Sequence, residues 1–143
     1  MMTEKQRGFT LIELVVVIAL LGILAAFAIP RFASLEREAR SAVTQGLAGS
    51  VRSAAAMAHG LNLATGVTPV NMEGNDIDIV NGYPDAETIA DTLADVSGFG
   101  PPTISGGDTA TFVKTGAPGV CQVVYVEAGA TTPPSVTPTT TGC

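Results

Sequence analysis

The sequence predicts an α+β fold, in which a long N-terminal helix, apolar in its first half, packs on a small antiparallel sheet. Three observations predict it. The twenty-one residues from Phe9 to Ile29 form an apolar run whose only charge is Glu13. Helix-compatible sequence continues past Pro30, with Leu35, Ala39, Val43, Leu47, Val51 and Ala55 recurring every four residues. Beyond residue 60 the pattern changes to short β-branched and aromatic runs punctuated by Gly and Pro. At 143 residues, 46% hydrophobic and 14% charged, the chain is one domain's worth of core-forming sequence. A net charge of −6 and the absence of Trp argue against nucleic acid as a partner.

A helix over the apolar run rises about 30 Å, the thickness of a bilayer's hydrocarbon core. Lys5 and Arg7 outnumber Glu4 on the short flank before it, which predicts a cytoplasmic N-terminus and export of everything after Arg31. A secretory signal peptide with an A-x-A site at Ala26-Phe27-Ala28 would remove the run. Glu13 and the helical sequence beyond Pro30 argue against it. A plain membrane anchor accounts for the length but not for the acid, which costs about 2.5–3.5 kcal/mol at a bilayer's centre and therefore calls for a partner.

Gly22 and Pro30 mark residues 22–30 as the weakest part of this helix, because Gly costs about 1 kcal/mol and Pro about 3 in a helix interior. Residues 31–60 read as an amphipathic continuation, with Arg37, Arg40 and Arg52 on its polar side beside Glu36 and Glu38. Gly46 and Gly49 predict close packing there. One helix from Phe9 to His59 would span roughly 75 Å. A head of this size cannot cover it, so its first half must meet lipid or copies of itself.

Residues 61–143 form the expected head. Gly60 to Gly66 reads as the helix stop, and Ile77 to Val80 as a short strand ended by Asn81-Gly82 and Pro84. Asp85 is the expected N-cap of a short amphipathic helix bearing Ile89, Leu93 and Val96. Strands are expected over Ala110 to Thr115, Val120 to Glu127 and around Ser135 to Thr137. Cys121 and Cys143 are the only cysteines, and export places both in an oxidising compartment, where one disulfide is the simplest outcome. Closing that 23-residue loop would add roughly 3 kcal/mol on a chain-entropy account.

Little here suggests catalysis. His59 is the only histidine, and with both cysteines oxidised no nucleophile and base pair stands out, so no enzyme and no cofactor are expected. Glu73, Asp76 and Asp78 are weak candidates for a calcium site, because they lack the spacing of a closed calcium loop and read better as a solvated acidic turn. Thr131, Thr132, Thr137 and Thr139 to Thr141 are candidate O-glycan carriers or an edge strand held by the disulfide. Residues 31–52 are net basic, whereas residues from 53 onward carry nine acids against Lys114. That asymmetry suggests acidic heads meeting basic stems of neighbouring copies.

The string Arg7-Gly8-Phe9-Thr10-Leu11-Ile12-Glu13-Leu14 resembles the class III leader of type IV pilins and type II secretion pseudopilins. Over the head, Val80-Asn81-Gly82-Tyr83-Pro84, Ser97-Gly98-Phe99, Cys121-Gln122-Val123-Val124-Tyr125 and the closing Thr141-Gly142-Cys143 are similar to the mannose-sensitive haemagglutinin type of type IVa pilin. The resemblance implies that residues 1–8 are a leader, that a prepilin peptidase cuts after Gly8, and that the new Phe9 amine is methylated. It implies that Glu13 sets axial register by pairing with a Phe9 amine, that the helix melts partly between Gly22 and Pro30, and that residues 9–30 form a filament core. The expected partners are copies of the chain in a helical filament, the inner membrane before assembly, a platform protein and an assembly ATPase. The expected end state is an extracellular pilus for surface attachment. A type II secretion pseudopilin is the alternative, and an inner-membrane-anchored binding module a second.

Overall fold

The structure, a computed structural model, describes residues 8–143. The basic flank with Lys5 and Arg7, and all of the expected leader except Gly8, lie outside the described residues. Helix α1 (Leu11–Thr65) passes through Gly22 and Pro30 without a break. The chain falls into two compact units, one ending at Glu36 and the other comprising Arg37–Cys143.

Within the first unit, every large apolar side chain from Phe9 to Phe32 is exposed, with Phe9 at 89%. This stretch is long and apolar enough to cross a membrane. The second unit buries a different helix surface: Thr44, Leu47, Ala48, Val51, Ala54, Ala55 and Ala58. That stripe alternates three- and four-residue steps, as a 3.6-residue period requires. The expected every-four series drifts, because each step of four overshoots a turn by about 40°. Leu35 and Val43 consequently point to solvent while Leu47, Val51 and Ala55 point inward.

Against the stripe lies a four-stranded antiparallel meander of β5 (Thr103–Ser105), β6 (Thr109–Val113), β7 (Gln122–Val126) and β8 (Ser135–Thr139). Phe112 faces Val123 across β6 and β7, and Ala110 faces Tyr125. Those four side chains pack on Leu47, Ala48, Val51 and Ala55 of α1, with Ala86 and Ile89 completing the core. Two small hairpins precede the meander: β1 (Val70–Met72) with β2 (Asn75–Ile77), and β3 (Ile79–Val80) with β4 (Tyr83–Pro84).

Helix α1 continues to Thr65, at the far end of the Gly60 to Gly66 stretch expected to stop it. Ala58 packs there against Val70, Met72 and Ile77 in a second apolar cluster, an incentive that the local sequence does not display. Gly66, at φ +66°, then ends the helix, and its N–H donates to the Asn62 carbonyl at 2.8 Å. The strand expected over Ile77 to Val80 divides at Asp78, whose backbone N–H donates to Thr88 Oγ1 at 3.1 Å.

Instead of an amphipathic helix, residues after Asp85 form one 3₁₀ turn, Ile89–Thr92. Asp85 does cap locally, accepting from the Thr88 N–H at 2.7 Å and the Thr88 hydroxyl at 2.5 Å. Leu93, on extended backbone, and Val96 still pack against the core. Gly46 and Gly49 are exposed and have open space where a side chain would stand, so the close packing expected of them is absent within the chain.

Polar ties lock the hairpins to the core. The Tyr125 hydroxyl donates to the Pro84 carbonyl at 2.5 Å, and burial, with the charges of Glu127 and Asp85 adding to it, pushes its pKa up. His59 Nδ1 lies 2.7 Å from the Gly82 carbonyl, which can only accept, so the proton sits on Nδ1. Its ring stacks on Tyr83 with centroids 4.1 Å apart.

Candidate functional site

The residues expected to carry function gather at the start of α1. Thr10 precedes the first helical residue and Glu13 lies three positions on, the spacing of a capping box. The Thr10 N–H donates to Glu13 Oε2 at 2.9 Å, and the Thr10 hydroxyl donates to the same oxygen at 2.7 Å. In return, the Glu13 N–H points at Thr10 Oγ1, 3.4 Å away. Glu13 therefore already has a partner inside its own chain, before any α-amine exists at Phe9. Thr10 was missed as a functional residue, although T-x-x-E ahead of an apolar run is a legible signal.

Gly8 and Phe9 are exposed and outside regular structure, so the peptide bond between them is open to solvent. Phe9 stands one residue before the cap and carries the most exposed large apolar side chain among the described residues. Gly22 has open space around it, and Pro30 leaves the Ala26 carbonyl without its usual helical donor. The remaining side chains of this segment are almost all aliphatic. What this segment offers is exposed apolar surface with one acid, Glu13, near its start.

At the far end of the second unit, Cys121 and Cys143 are bonded to each other. The buried Thr44 hydroxyl donates to the Arg40 carbonyl at 2.9 Å and touches Cys121 Sγ at 3.2 Å, seating the disulfide on α1. Arg40 Nε donates to the Cys143 carbonyl, and Arg52 Nη2 donates to the Val136 carbonyl at 2.6 Å. Two of the arginines expected on a solvated face thus clamp the C-terminal segment. The acids considered for calcium are spread along a hairpin, where Asp76 Oδ1 accepts from Asn71 Nδ2 at 2.8 Å. Among the described residues no three His, Cys, Asp or Glu side chains are placed to hold a metal ion.

An exposed apolar helix with an acid at its capped start, in a chain that also has a disulfide-closed sheet, has the features of the pilin class. The prokaryotic N-terminal methylation motif family matches residues 4–29. A type IV major fimbrial protein FimA of Dichelobacter nodosus is 32% identical over 122 residues, covering 85% of this chain and 67% of the relative. The type IV narrow pilus major component PilA5 of Thermus thermophilus is 50% identical over 54 residues, 38% of this chain and 47% of that protein. The chain belongs to the type IV pilin family. It spans about two thirds of the FimA relative's length and about half of the Thermus relative's. No solved structure matches it.

Proposed function

We propose that the chain is a major structural subunit of a type IV pilus, cut after Gly8, N-methylated on Phe9 and polymerised through the apolar half of α1. The observation that carries this reading is the uninterrupted exposure of large apolar side chains from Phe9 to Phe32, which nothing among the described residues covers. Lipid covers them before assembly and copies of the same helix cover them afterwards. Exchanging one apolar neighbour for another changes little hydrophobic energy, so shape and the charge at Glu13 decide how subunits align. Glu13 exchanges its Thr10 contacts for the Phe9 amine of a neighbour, which fixes axial register. Residues 22–30 stretch in the packed filament, where Pro30 already leaves one carbonyl free. Residues 1–8 are the leader, residues 9–30 the core segment, residues 31–60 the amphipathic stem and residues 61–143 the head. A prepilin peptidase, a platform protein and an assembly ATPase are the partners this route requires, and attachment to surfaces is its use.

The relatives' printed names, a major fimbrial protein and a major pilus component, support a pilus over a secretion pseudopilin. Exchanging residues 9–30 for an unrelated membrane span tests the reading. A pilus subunit then stays in the membrane and disappears from the sheared surface fraction. Unchanged surface filaments would show that the segment is only an anchor.

A further inference from the structure

A polar groove of about 430 Å³ opens in the second unit between one side of α1 and the C-terminal segment. Its volume is in the range of small-molecule sites. Arg37, Glu38, Ser41 and Gln45 form the helical wall, at the spacing of neighbours on one helix side, and Thr140 and Thr141 form the other. That second wall is held in place. The Cys143 N–H donates to the Thr140 carbonyl at 3.2 Å, Cys143 is bonded to Cys121, and Arg40 Nε donates to the Cys143 carbonyl.

Arg40 and Arg52 are committed to carbonyls of their own chain, whereas Arg37 and Glu38 are exposed and make no side-chain hydrogen bond or ion pair among the described residues. Gln45 Nε2 donates to Ser41 Oγ at 3.2 Å, which leaves the Ser41 O–H free to donate into the groove. The Thr140 and Thr141 hydroxyls have no partner among the described residues. The walls thus offer a guanidinium and three hydroxyls beside one carboxylate, with charges that cancel. A simple anion would meet Glu38 as well as Arg37, and repulsion would offset attraction. A zwitterion uses both: its phosphate accepts from Arg37 and the hydroxyls, and its ammonium donates to Glu38.

The chain's own apolar run points to the source of that zwitterion. Exposed large apolar side chains reach Phe32, and Arg37 follows five residues later. Those five residues are about 7.5 Å of helix, or at most about 18 Å of fully extended chain. A bilayer's headgroup layer is about 5–8 Å deep and begins where the hydrocarbon ends. We propose that this groove holds the phosphoethanolamine headgroup of a membrane lipid, with the phosphate on Arg37, Ser41, Thr140 and Thr141 and the ammonium on Glu38. This rests on the membrane-inserted state proposed above and adds a lipid contact outside the apolar run, which the subunit gives up when it leaves the membrane.

The full chain in dodecyl maltoside micelles tests it, because that detergent carries no phosphate. Added phosphatidylethanolamine is expected to shift the amide resonances of residues 37–45 and 140–141 to saturation. Phosphatidylglycerol, which has the phosphate but no ammonium, should need about tenfold more lipid for the same shift, the equivalent of one lost charge-assisted hydrogen bond. Arg37→Gln weakens both lipids, whereas Glu38→Gln brings phosphatidylethanolamine down to the phosphatidylglycerol level. Unshifted resonances of Phe112 and Tyr125 in each variant verify that the core is intact. Lipid that leaves residues 140–141 unmoved, equal binding of the two lipids by the parent, or variants that bind as the parent does would overturn the headgroup site. Saturation by inorganic phosphate at the lipid's concentration would assign the groove to a free anion and overturn it as well. Insertion is read separately: absence of the parent chain from the cell's membrane fraction would overturn the membrane-inserted state itself.

Discussion

Thr10 and Glu13 satisfy one another at the start of α1: one carboxylate oxygen takes both Thr10 donors, and the Thr10 oxygen faces the Glu13 N–H. The acid of the apolar helix is thus engaged in the single chain, so the register pairing proposed above exchanges that contact rather than satisfying a bare charge.

Capping and charge can be separated at this position. Glutamine fills the same place in a capping box as glutamate. Glu13→Gln is therefore expected to insert and be processed as the parent does, while its sheared filament yield falls at least tenfold. Equal yields would remove the charge from the register mechanism. Thr10→Val deletes the hydroxyl and costs about 1 kcal/mol of local helix stability. Faster amide hydrogen exchange over residues 11–14 in detergent micelles is the expected readout.

Phe112→Ala opens a hole at the centre of the β6–β7 pair, opposite Val123 and against α1. A loss of about 3–5 kcal/mol is expected, a large share of a small domain's stability. Thermal unfolding of the detergent-solubilised chain measures it.

Arg52 and the disulfide hold the C-terminal segment independently. Arg52→Ala frees the outer carbonyl of β8 at Val136 and is expected to cost about 1 kcal/mol at this exposed position. Replacing Cys121 and Cys143 by serine costs roughly 3 kcal/mol on the loop-entropy account. Hydrogen exchange should rise across β8 in the first variant, and across the whole segment after β7 in the second.

Tyr125 makes stability fall in alkali. Its pKa is raised in the fold, so the unfolded chain loses this proton first, near the ordinary tyrosine value of about 10. Its contribution is complete below that pH and is lost as pH rises further. Tyr125→Phe is expected to flatten the melting temperature between about pH 9 and 11 relative to the parent. At neutral pH it costs about 1–2 kcal/mol, for the Pro84 carbonyl left without its donor.

Sequence patterns that depend on one element alone were legible. The apolar run, the β6 and β7 strands and the cysteine pair could each be read from the sequence. What escaped depends on contacts between elements. Gly60 lies inside α1, and the helix ends at Gly66, where the backbone takes a positive φ. β1 and β5 are three residues each and are defined by their partners. The segment after Asp85 has helical periodicity but forms only one 3₁₀ turn, after which Leu93 is extended. Arg40 and Arg52 looked like solubilising charges because the carbonyls they hold lie 103 and 84 residues away. Thr10 was readable from its spacing to Glu13, and attention to the acid's charge hid its role as a cap.

Intact mass of the chain in the fraction sheared from the cell surface is the most direct measurement. A processed, polymerised subunit has the mass of Phe9–Cys143 with one added methyl group and two hydrogens lost to the disulfide. The same mass found only in membranes would point to a secretion pseudopilin. A chain beginning at Ile29 would contradict the retained apolar helix on which assembly depends.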